Sequence, residues 1–208
     1  MILVQYTLIY ASVLILVALG GMFSERSGVI NLGLEGTMVM GALGGAFVLY
    51  ALPPSTPAIY VILLTLIVSA VTGMVFSLFL AVAAINFKAD QTLVGTAMNM
   101  LATAAATVIV KAYNNARSGG ANPSAILEYI ETRKAFVIKL GSLELSGYML
   151  ITVVLLVLAC VILYKTRFGL RLQACGEHPQ AADSVGINVY KMRYAGILIS
   201  VWNATSIV

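Results

Sequence analysis

Between Glu35 and Lys88 the chain runs for 52 residues without an Asp, Glu, Lys or Arg. A bilayer core about 30 Å thick is crossed by about 20 apolar helical residues at 1.5 Å each. The run therefore has the length of two spans rather than one. Pro53, Pro54 and Pro57, with Ser55 and Thr56 among them, supply the turn between the two. Met1 to Ser24 is a further apolar stretch, as are Gln91 to Val110 and Leu145 to Tyr164, the last two being 20 uncharged residues each. No Lys or Arg precedes Arg26, so the first stretch lacks the positive leader of a signal peptide and reads as a retained span. The chain is 61% hydrophobic and 10% charged, where a soluble domain carries about a quarter charged residues. The expected fold is all-α, a polytopic transmembrane helical bundle of about five full spans plus a partial sixth, one domain over residues 1–208.

The net charge of +4 is read through its placement at span ends and not as a nucleic-acid signal. Five spans put the turns at 25–35 and 86–90 and the polar island at 165–193 on one side. That side holds Arg26, Lys88, Lys165, Arg167, Arg171, Lys191 and Arg193, against Lys111, Arg117, Arg133, Lys134 and Lys139 on the other. The excess predicts a cytoplasmic island and an external amino terminus. Cys160 falls in the fifth span and Cys175 in the island, which argues against a disulfide framework. Two cysteines and one His give no cluster with metal-ligand spacing, so neither metal nor cofactor is expected. The acids beside spans, Glu25, Glu35 and Asp90, show no catalytic constellation, which argues against an enzyme.

Residues 24–37, SERSGVINLGLEGT, combine Gly28, Gly33 and Gly36 with Glu25, Arg26, Asn31 and Glu35. Two readings stand: a solvated turn with ordinary loop charges, or a broken or re-entrant helix with Asn31 and Glu35 lining a polar pathway. Irregular backbone survives in a membrane only where protein buries it or a wet cavity faces it. Gly41, Gly44 and Gly45, and then Ser69, Thr72, Gly73 and Ser77, suit faces packed against other helices. In the fourth span Thr92, Gly95, Thr96, Asn99, Ala102, Thr103 and Ala106 form a small, mildly polar stripe. Asn99 either bonds a neighbouring helix or meets a transported solute, and the roles are compatible. The polar stretch from Lys111 to Glu144 is long for a connector and, as an outer loop, could receive a delivered ligand.

Within the island, Gly176 to Gly186 (GEHPQAADSVG) has the punctuation of a two-turn helix. Pro179 suits the first helical position and Gly186 the left-handed stop, while Ala181, Ala182 and Val185 supply a small apolar face. His178 has no nucleophile or acid at a defined spacing and reads as a local cap or contact.

Three segments, ERSGVINLGLEGTMVMGA (25–42), ADQTLVGTAMNMLA (89–102) and TRFGLRLQACGEHPQAADSVGINVYKMR (166–193), together resemble the inner-membrane permease of ATP-binding-cassette importers. The subgroup is that for nucleosides and simple sugars. The resemblance implies three partners: a separate ATPase subunit, a second permease subunit in a homo- or heterodimer, and an extracytoplasmic substrate-binding protein. It also implies that Gly176, Glu177, Pro179, Ala181, Ala182 and Gly186 belong to a coupling helix seated in a groove of the ATPase. By the same resemblance Asn31, Glu35 and Asn99 lie near the translocation path. The segment ending in VWNATSIV departs from the Gly/Ala-rich continuation of that family at Trp202, Asn203 and Thr205, so the chain is expected to be truncated at its carboxyl end. The alternatives are a small autonomous multi-span channel, a membrane assembly protein, or a non-functional truncated permease.

Overall fold

Inside a bilayer no water bonds the backbone, so apolar stretches must satisfy their own N–H and C=O groups, and helices result. The computed structural model describes residues 2–53, 56–120, 124, 126–127, 137–140 and 143–205. Pro54 and Ser55 of the expected turn, Asn122 and Pro123 of the expected loop, and Arg133 and Lys134 of the charge balance lie outside the described residues.

Helix α1 spans Ile2–Arg26, α2 Leu34–Ala51, α3 Ala58–Ala81 and α4 Gln91–Arg117. A single π-helical turn, Val82–Asn86, prolongs α3. Asp90 starts α4 as its cap, its carboxylate accepting from the N–H groups of Thr92 at 2.8 Å and Leu93 at 3.3 Å. These four helices are long and apolar enough to cross a membrane. The expected fifth span is α5, Gly147–Lys165, which turns through 70° into α6, Arg167–Glu177. Thr166 makes that corner. Its hydroxyl donates to the Ile162 carbonyl and accepts from the Gly169 N–H, which lies 3.2 Å away. Two helices follow, α7 at Pro179–Ser184 and α8 at Val189–Thr205.

Two features qualify the expected organisation. The Lys111 to Glu144 connector begins as helix, because α4 continues to Arg117. That extension is packed: Tyr113 meets Phe47 and Tyr50 edge-on at 5.2 and 5.7 Å, and the Arg117 guanidinium lies 4.9 Å from the Tyr50 ring centre. Towards its end β1, Val137–Leu140, pairs antiparallel with β2, Leu143–Ser146.

Helix α8 threads the bundle between α1, α2 and α3. Small residues make room for it: a Cβ on Gly20 would stand 2.5 Å from the Ser200 carbonyl oxygen, and one on Gly41 would stand 2.8 Å from Thr205 Cγ2. Trp202, Asn203 and Thr205 lie in α8. Thr205 is buried, its carbonyl accepting from Ser69 Oγ at 3.0 Å and its hydroxyl donating to the Val201 carbonyl at 2.8 Å. Ser69 and Ser77 are buried too, so the polar face of α3 serves packing as expected.

Candidate functional site

Helices α1 and α2 are not one rod, because Ser27–Gly33 unwinds between them. Gly28 adopts φ +82°, a left-handed conformation that glycine takes without a Cβ penalty. The freed end of α1 is tied by side chains, with Ser24 Oγ donating to the Val29 carbonyl at 2.7 Å and Ser27 Oγ to the Ser24 carbonyl at 2.6 Å. Beyond that turn burial alternates along the chain. Val29, Asn31 and Gly33 face inward, while Ile30 and Leu32 are 50% and 44% exposed.

Helix α4 supplies the hydrogen bonds that this unwound backbone lacks. Gln91 Oε1 accepts from the Ile30 N–H at 2.7 Å. Asn99 spends both ends of its amide, Nδ2 donating to the Leu32 carbonyl at 2.9 Å and Oδ1 accepting from the Gly36 N–H at 2.8 Å. The approach is close enough that a Cβ on Gly95 would lie 2.9 Å from Leu32 Cβ. Asn31 Oδ1 accepts from the Gly33 N–H at 3.1 Å, yet its Nδ2 is buried with no hydrogen-bond partner.

Residues 27–33 are thus a packed irregular segment and not a solvated turn, while Glu25 and Arg26 are exposed in the last turn of α1. Asn99 holds residues 32 and 36 from α4, and Asn31 bonds Gly33 between them. Glu35 does not join Asn31 on the buried side; it is exposed in the first turn of α2, where the helix dipole favours a carboxylate.

The island gathers at the same end of the bundle. Helix α6 was not expected; its buried Gly169, Leu172 and Cys175 follow the helical repeat. The spacing of Phe168, Leu172 and Cys175 was the available signal. Gln173 Nε2 ties α6 to α5 through the Leu163 carbonyl at 2.8 Å. Gly176 and Glu177, expected at the start of the coupling helix, belong instead to the end of α6. Gly176 abuts the Arg26 carbonyl and the backbone of Gly28, so α6 rests directly on the unwound segment. Burial pushes the Cys175 thiol above its usual pKa, with the nearby Arg193 charge opposing the shift.

Pro179 takes the first position of α7, as expected. Its other end is a Schellman stop: the Ile187 N–H donates to the Ala182 carbonyl at 3.1 Å, the Gly186 N–H to the Asp183 carbonyl at 2.9 Å, and Gly186 has φ +82°. His178 joins α6 to α7 through backbone bonds, its N–H donating to the Ala174 carbonyl at 3.0 Å. The expected apolar face divides. Ala182 is buried against the bundle, whereas Ala181 is exposed and Val185, already past the last turn, is 73% exposed.

The family described as "Branched-chain amino acid transport system / permease component" matches residues 3–205. The chain is 44% identical over 206 residues to "Guanosine ABC transporter permease protein NupQ" of Bacillus subtilis, covering 96% of this chain and 63% of that one. It is 37% identical over 212 residues to "Nucleoside ABC transporter permease protein NupC" of Lactococcus lactis, again 96% and 63%. A third relative, "Putative glucose ABC transporter permease protein TsgC13" of Haloferax volcanii, is 31% identical over 191 residues, 91% of this chain and 56% of that one. The chain therefore spans less than two thirds of the length of these relatives. No solved structure matches it.

Proposed function

The chain belongs to the branched-chain amino acid transport system / permease component family, a multi-pass cell-membrane family, and we propose that it is a permease subunit of an ATP-binding-cassette importer for nucleosides. The observation that carries the substrate class is the 44% identity, across 96% of the chain, to a permease named for guanosine. In this reading the chain is not itself an enzyme. ATP is hydrolysed on a separate ATPase subunit, a second permease subunit completes the pathway, and an extracytoplasmic binding protein delivers the solute.

The local chemistry supports a path beside the unwound segment. An amide donor withdrawn from water without an acceptor costs about 1–3 kcal/mol, and Asn31 Nδ2 is such a donor. A nucleoside brings hydroxyl and carbonyl oxygens that would satisfy it. Asn99 acts alongside by fixing the backbone that carries Asn31, and Glu35, exposed next to it, would face the aqueous approach. At the island, α7 would present Ala181 and Ser184 to the ATPase from the exposed side, a helix-in-groove contact. Gly176 on Gly28 would carry its movement to the unwound segment.

The test is reconstitution in proteoliposomes with the ATPase, the second permease and the binding protein, followed by ATP-dependent uptake of labelled guanosine and glucose. Guanosine uptake above that of glucose is expected. An assembled, ATP-hydrolysing complex that accumulates glucose and not guanosine would overturn the substrate class.

A further inference from the structure

A cleft of about 510 Å³ lies behind α7, walled by Gln180 and Asp183 of α7, Tyr190 and Arg193 of α8, and Lys88 and Gln91 at the α3–α4 turn. Its walls carry opposite charges. Among the described residues no ion pair joins Asp183 to Lys88 or Arg193, and Arg193 Nε is buried without an acceptor. Lys88 sits on left-handed backbone, φ 51°, which holds it at the tip of its turn.

The elements on either side of α7 are anchored by close backbone approaches, while α7 itself is held through one buried methyl. Gly176 of α6 is set against the Arg26 carbonyl, and a Cβ on Gly196 of α8 would lie 2.5 Å from Ser27 Cβ. Between them, α7 has only six residues and breaks from regular helix at both ends, at His178 with φ −139° and at Gly186 with φ +82°. Its buried contact is the Ala182 methyl, and Asp183 is exposed. A short rod between two hinges, with a carboxylate on one wall of an open cleft and two cations on the other, has a second position available. Swinging inward gives Asp183 a cation and Arg193 an acceptor, interactions absent from the open arrangement.

We propose that Arg193 and Lys88 are positioning residues for coupling, forming the seat onto which Asp183 closes when the ATPase presses α7 inward. The proposal rests on the permease reading and adds a two-position α7 to it.

The test uses the chain assembled with its ATPase in nanodiscs, on a Cys160→Ser background, with spin labels at Phe87→Cys and Val185→Cys, both exposed positions. ATP should bring in a shorter label-to-label distance. Because Asp183 is exposed, Asp183→Asn should fold normally, lose that distance, and reduce ATP-driven uptake several-fold while leaving ATPase binding intact. The exchange Asp183→Arg with Arg193→Asp should restore it. An ATPase-bound complex whose distance ignores ATP, or an Asp183→Asn complex that closes like wild type, overturns the seat alone. Failure of the wild-type chain to bind the ATPase overturns both the permease reading and the seat.

Discussion

Asn99 accepts a hydrogen bond from the Gly36 N–H at 2.8 Å, and the same amide donates to the Leu32 carbonyl at 2.9 Å. One α4 side chain therefore holds both the unwound segment and the first turn of α2. Asn99→Leu removes both bonds and leaves two backbone groups unpaired, a loss of about 2 kcal/mol. Asn99→Asp keeps the acceptor and should lose less. Reversible unfolding in mixed micelles checks the order, wild type above Asp above Leu.

The contact is also a matter of shape. A Cβ on Gly36 would stand 2.9 Å from the Met98 carbonyl oxygen and 3.0 Å from Asn99 Cα, both backbone atoms that cannot turn aside. Gly36→Ala should cost about 1–3 kcal/mol through overpacking. Gly21→Ala, whose added carbon would meet Leu34 Cδ1 at 3.7 Å, an ordinary contact, should stay within about 0.5 kcal/mol of wild type in the same assay.

Asn31→Ala separates stability from transport. It forfeits the bond from the Gly33 N–H, about 1 kcal/mol, but no partner of Nδ2, which has none. Unfolding should therefore change less than in Asn99→Leu. Guanosine uptake should fall about tenfold, the size of one lost hydrogen bond to solute at about 1.4 kcal/mol. Uptake at the wild-type level would remove Asn31 from the path.

At Gly186 the surroundings are open, with nothing within 4 Å of an added Cβ, and the backbone alone resists substitution at φ +82°. Gly186→Ala should cost about 1 kcal/mol. The loss should appear locally, as exchange of the Gly186 and Ile187 amides about fivefold faster by hydrogen–deuterium measurement, with the spans unaffected.

Cys175 is buried and its thiol pKa is raised by desolvation. Less thiolate is then present near neutral pH, and access is closed as well. Maleimide should leave Cys175 unmodified in the folded protein at pH 7 and label it once the protein is unfolded in detergent, as read by mass spectrometry.

Much of the fold was legible because its signals are local. The 52 uncharged residues after Glu35 gave α2 and α3, and Pro179 and Gly186 bracketed α7 through backbone preferences that each carries by itself. Asn99 was recognisable as an amide that had to find a partner inside a span. Its partners were not, since Gly36 and Leu32 lie 63 and 67 residues away. Gln91 was invisible for the same reason, 61 residues from Ile30. Helix α6 was hidden by its length and by charges that masked the Phe168, Leu172 and Cys175 spacing.

By itself the sequence determined that this chain is a bundle of membrane helices with a polar, helix-bearing island at one end. Hydropathy and capping are properties of neighbouring residues and survive without a fold. Only the tertiary structure decided that Ser27–Gly33 is a packed segment held by α4, that α6 rests on it through Gly176 and Gly28, and that α7 hangs over a charged cleft. Those relations depend on which distant backbones touch. Glycine permits such contacts at many positions, and the packing of α4, α6 and α8 selects the ones that form.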